Sequence, residues 1–100
     1  MHSKAQALYT RKERVYVKVS SVFDSTGYMQ PTSITWPDGR TFQIDEITDF
    51  RPTASIGAGV SGSCYTILIR GQEKHLFFER TDPDIFQNRV GRWFVEVSAA

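Results

Sequence analysis

Five consecutive residues, Trp36-Pro37-Asp38-Gly39-Arg40, constrain the fold of this chain more than any other stretch. Pro37 presets φ for the first position of a tight turn, Asp38 suits the second, and Gly39 can enter the left-handed region that other residues avoid. Such a turn folds the chain back as a hairpin that brings Trp36 beside Arg40. The flanks carry an independent test of register. Ile34 and Trp36 then share a face with Phe42 and Ile44, so the alternation and the turn select the same apolar side.

The rest of the chain follows the same period. Val15, Val17 and Val19 alternate with polar residues, and Asp24-Ser25-Thr26-Gly27 supplies turn chemistry before a second strand from Met29 to Trp36. Pro31 lies near the start of that strand, where a missing donor is tolerated. A third strand leaves Arg40 and continues, bent, through Glu46 to Pro52. Residues 52–63 are small and glycine-rich and read as a long loop. Two further strands, Tyr65–Ile69 and His75–Glu79, form a hairpin about Arg70-Gly71-Gln72 that puts Tyr65, Ile67 and Ile69 on one face with Leu76 and Phe78. Thr81 to Asn88 reads as a loop or single helical turn, and Gly91-Arg92 launches a last strand, Trp93–Val97.

Six short-linked antiparallel strands predict an all-β domain, a meander closing into a small barrel or a strongly bent sheet. Residues 14–98 form that single domain, and residues 1–13 an arm that is flexible or holds a short helix over 3–12. Residues 1–10 and 54–62 are the expected mobile segments. The length of 100 residues suits one core, and 7 Phe, 4 Tyr and 2 Trp enrich the side chains that pack on pleated surfaces.

Composition also narrows function. Cys64 is the sole cysteine, so an internal disulfide and a cysteine-based metal site are both excluded. A small disulfide-free domain with no apolar leader and no run near the ~20 residues of a membrane span is expected in the cytoplasm, away from membranes. Net charge is +1, which gives no global attraction to nucleic acid. The charge is unevenly spread: Lys4, Arg11, Lys12, Arg14 and Lys18 dominate the first 18 residues, whereas Asp24, Asp38, Asp45, Glu46 and Asp49 dominate residues 24–49.

Several motifs invite a chemical reading and fail its requirements. Gly57-Ala58-Gly59-Val60-Ser61-Gly62 matches a dinucleotide fingerprint, but it leads into a strand where the chemistry needs a helix N-terminus. Cys64 and His75 lie in the two arms of one hairpin, with nothing to mark an orienting group or an oxyanion site. Asp45, Glu46 and Asp49, and Asp82 with Asp84, lack the ligand spacing of a calcium loop. With two dispersed histidines, a bound metal or organic cofactor is not expected.

Aromatic residues divide by parity. Trp36, Phe42, Phe78 and Trp93 fall on the inward side of their strands and read as core. Tyr16, Leu68, Phe77 and Phe94 fall on the outward side, where an antiparallel sheet facing water should be polar. They form the candidate interface, for a protein partner or a second copy of the chain, unless the terminal segment or residues 81–90 fold over them. The alternative partner is nucleic acid, contacted through Lys4, Arg11, Lys12, Arg14 and Lys18 together with Arg40, Arg89 or Arg92.

Taken together, Trp36-Pro-Asp-Gly-Arg-Thr-Phe42, the hairpin ending in Phe77-Phe78-Glu79, and Gly91-Arg-Trp-Phe-Val-Glu96 resemble a family of small bacterial proteins of uncharacterised function. The Trp-x-x-Gly-Arg hairpin and the terminal Gly-Arg-Trp are also distantly similar to domains associated with Y-family DNA polymerases. The resemblance spans residues 14–97 and rests on aromatic and turn positions. It implies a fold, and suggests accessory work in DNA metabolism or on mobile elements, without bringing catalytic or ligand residues. The expected function is that of a non-enzymatic binding or accessory module.

Overall fold

A computed structural model describes residues 12–53, 62–84 and 89–98, with the side chains of 81–84 left aside. The alternating valines belong to β1 (Lys12–Phe23), a strand long enough to serve two neighbours. Its residues 12–17 pair with β7 (Arg89–Ser98), and its residues 18–23 pair with β2 (Met29–Thr35). β3 (Thr41–Gln43) lies outside β2, while β6 (Gln72–Asp84), β5 (Gly62–Ile69) and β4 (Glu46–Thr53) follow beyond β7. The result is one antiparallel sheet of seven strands in the order β3-β2-β1-β7-β6-β5-β4.

The sheet curls into a half-barrel, and its two edge strands are consecutive in sequence. Only Ile44 and Asp45 separate β3 from β4. The Ile44 N–H donates to the Thr32 carbonyl (3.0 Å) and the Asp45 N–H to the Leu68 carbonyl (2.8 Å), so these two residues hand the chain from one edge to the other. The Asp45 carboxylate also accepts the Arg70 N–H at 2.8 Å. The bent third strand expected from Arg40 to Pro52 is therefore two strands, which raises the count from six to seven. One strand cannot pair with β2 and, across the curl, with β5 without turning a corner.

The hairpin turn has the predicted chemistry. The Gly39 N–H donates to the Trp36 carbonyl (2.9 Å), the Trp36 N–H to the Arg40 carbonyl (2.8 Å), and Gly39 has φ +95°. Ile34 and Phe42 are direct cross-strand partners. The Asp24–Tyr28 turn repeats this pattern with Gly27 at φ +87°. Thr81 to Asp84, read above as loop, extends β6 instead; Pro83 falls in the irregular stretch between the Arg80–Gly91 and Asp84–Arg89 pairs, where no ladder donor is required. Lys12 and Glu13, assigned above to an arm, open β1. The proposed helix, most of the mobile segments and the glycine motif lie outside the described residues, apart from positions 12 and 62.

The concave face is the core. Ile34, Tyr65, Ile67, Ile69, Leu76, Phe78 and Val95 are buried there, and Trp36, Phe42 and Trp93 pack half-buried against them, as their parity implies. Gly91 lies under this layer: a Cβ built on it would meet the Phe78 ring at 2.5 Å and the Glu79 carbonyl at 2.6 Å.

Candidate functional site

On the convex face, residues of β1, β6 and β7 alternate outward beside one another. Tyr16 stands opposite Phe94, and Phe77 opposite the other side of Phe94. The Phe77 and Phe94 rings stack with centroids 4.9 Å apart, and Tyr16 meets Phe94 edge-on at 5.6 Å. Phe94 is nonetheless fully buried, and the Arg14 guanidinium also lies over its ring at 4.4 Å. Arg92 covers Tyr16 in the same way at 4.1 Å.

A carboxylate fixes both arginines. Glu79, only 3% exposed, accepts from Arg14 Nη1 (2.8 Å) on Oε2 and from Arg92 Nη2 (2.9 Å) and the Tyr16 hydroxyl (3.2 Å) on Oε1. Burial pulls the Glu79 carboxyl upward, but the hydrogen bonds from Arg92, Tyr16 and Arg14 together outweigh it and hold the group below its ordinary value. Both oxygens of the buried carboxylate are thus occupied from within the chain. Of the four outward apolar residues, three therefore meet one another, and Phe94 is fully buried among them. Leu68 shares the face but stands opposite Glu73, beyond the Thr66–His75 pair.

The basic residues fare similarly. Lys12, Arg14 and Lys18 occupy alternate convex positions of β1, but Arg14 is committed to Glu79 and stands opposite Glu96. Lys4 and Arg11 lie outside the described residues.

Cys64 and His75 do approach one another, with Sγ 3.8 Å from Nδ1, and the same nitrogen lies 3.4 Å from the Thr66 hydroxyl. Burial, followed by the nearby Asp49 charge, pushes the Cys64 thiol above its ordinary value, the direction opposite to that of a working nucleophile. Among the described residues no group of three or more His, Cys, Asp or Glu is placed to hold a metal, and no helix is long and apolar enough to cross a membrane.

A further site lies at the mouth of the half-barrel. β6 and β7 pair from Leu76–Val95 onward, so residues 72–75 of β6 and 96–98 of β7 diverge as a fork. A groove of about 580 Å³ occupies the fork and runs inward to Trp36, Phe42 and Ile69. Because the pairing is interrupted, side chains of both faces reach it: Lys74 and Val95 from the concave side, Phe77 and Glu96 from the convex. Its volume falls within the usual range for ligand pockets, and barrel mouths are a common place for them.

Cations rim the concave side. Arg70 is the only non-glycine residue with positive φ (+53°) among those described, and its guanidinium lies 5.5 Å over the Phe42 ring. Lys74 has the parity of Leu76 and stands opposite Ile67, so it points inward where the alternation calls for an apolar residue. Neither forms an ion pair with a described residue. Arg40, also over Phe42 at 5.7 Å, pairs with Asp38. The acids of the groove, Glu73 and Glu96, carry convex parity.

Sequence reasoning missed this site. The one signal was a run of inward-parity polar residues, Gln72 and Lys74, ahead of Leu76 and Phe78. No protein-family model, curated protein or solved structure matches the chain.

Proposed function

We propose that the chain is a non-enzymatic binding module that holds a segment of a protein partner in the groove at its barrel mouth. The observation that carries this reading is the pairing of two aromatic rings, Trp36 and Phe42, with inward-facing cations, Arg70 and Lys74, that form no ion pair among the described residues. Aromatic residues and arginine are the groups that dominate binding energy at protein contacts, particularly in concave sites. An array of unrelated short peptides tests it. Labelled protein should retain a subset of spots, and Gln72→Trp, which plugs the groove, should lose them while melting like wild type. Retention unaffected by the plug would contradict the reading.

A second reading, nucleic-acid binding, draws on the convex row of Lys12, Arg14 and Lys18 on β1. It is the weaker of the two because Glu79 already neutralises part of that surface. Salt-dependent DNA retention that disappears in Lys12→Ala/Lys18→Ala would favour it.

A further inference from the structure

The barrel-mouth reading says where a partner docks; the fork says in what conformation. Residues 72–75 pair with β5 on one side, and residues 96–98 pair with β1 on one side. On their facing sides the two strands have no ladder partner in each other. Backbone N–H and C=O groups left along a strand edge are the template for adding another strand. A strand entering this fork projects alternate side chains inward, two residues apart. Such side chains would find Trp36, Phe42, Ile69, Arg70 and Lys74 among the residues that line the groove.

Resting on the proposed function above, we infer that the partner segment is an extended peptide added as a strand in the fork between β6 and β7, with an apolar and an acidic residue two apart on its inward side. Charge complementarity selects the acid. The inward rim carries Arg70 and Lys74 with no ion-pair partner among the described residues, while the acids that also line the groove, Glu73 and Glu96, reach it from convex positions and pair with neither. The apolar residue is selected by the rings of Trp36 and Phe42. Arg70 itself holds a left-handed backbone conformation that favours glycine or asparagine, and a guanidinium at that turn is what places the charge over Phe42.

Four probes separate the possibilities: the blocked hexapeptide Thr-Phe-Thr-Glu-Thr-Gly, the same peptide with Lys for Glu, the same with Pro for the central Thr, and octanoate. Each is titrated into isotope-labelled protein while amide shifts and amide exchange are followed. The acidic peptide should shift and protect amides within 72–75 or 96–98, and the Lys peptide should bind about tenfold or more weakly. The Pro peptide, which lacks a ladder donor, should lose the protection. Lys74→Glu should reverse the preference between acidic and basic peptides. Octanoate binding as tightly as the acidic peptide, a Pro peptide that binds equally well, or indifference to charge would overturn strand addition while leaving the groove a binding site. If no probe perturbs the groove at millimolar concentration, the inference and the proposed function fall together.

Discussion

The convex cluster and the barrel mouth are built from the same parts and differ in one. Both lay guanidinium groups on aromatic rings: Arg14 over Phe94 and Arg92 over Tyr16 on the convex face, Arg70 and Arg40 over Phe42 at the mouth. On the convex face a buried carboxylate, Glu79, sits between the cations and completes the cluster. At the mouth Arg70 and Lys74 have no such group among the described residues. A cation stacked on an aromatic ring gains more as it is desolvated, and desolvation is tolerable only with an anion at hand. The convex set has its anion and closes into structure; at the mouth no described carboxylate forms an ion pair with Arg70 or Lys74, which leaves a place for a ligand to supply one.

The largest expected effect tests whether the convex cluster is true core without a second layer over it. Phe94→Ala removes a fully buried ring and should cost about 3–5 kcal/mol, as for an aromatic in a conventional core. A loss below about 1 kcal/mol in urea unfolding would mean that the arginines merely rest on an exposed ring.

Removing the anion is the next step. Glu79→Gln keeps the shape but leaves Arg14 and Arg92 without their charge partner, and should cost about 2–3 kcal/mol, tempered because both arginines reach solvent. The same group sets an acid limb. Its folded pKa lies below the 4.5 of a free glutamate, so its contribution is full above that value and is lost as pH falls through the lowered one. Wild-type stability should therefore decline below about pH 4.5 more steeply than that of Glu79→Gln. Parallel limbs would remove Glu79 from the account.

The smallest expected effect has the opposite sign. Arg70 occupies a left-handed conformation (φ +53°) that asparagine adopts more readily, so Arg70→Asn should stabilise the free protein by about 0.5–1 kcal/mol while weakening acidic ligands. Destabilisation would indicate that Arg70 holds the hairpin together instead of serving the groove.

How much of this was legible beforehand depends on the range of the interactions. The Trp36–Arg40 turn, the pairing of Ile34 with Phe42 and the outward parity of Tyr16, Leu68, Phe77 and Phe94 are local, and period and turn chemistry were sufficient. The corner at Ile44 and Asp45 was not, because its cause is the position of β5 across the curl. Nor was the Glu79 cluster: Arg14 lies 65 residues from its partner, and no local pattern announces that Phe94 will be covered by arginines. The groove depends on where β6 and β7 stop pairing, a consequence of strand stagger that leaves only the inward Gln72 and Lys74 as a trace in the sequence.

The contrast between the two clusters reduces to whether Arg70 and Lys74 are short of an anion, and one substitution supplies it. Gln72 has the inward parity of Lys74 and adjoins the turn that carries Arg70, so Gln72→Glu places a carboxylate beside these two cations. Titrating this variant and wild type with the acidic hexapeptide is the direct measurement. The account predicts binding weakened about tenfold, with a folded variant at least as stable as wild type. Unchanged or tighter binding would contradict it, because Arg70 and Lys74, once provided with an inward carboxylate, would then still accept another.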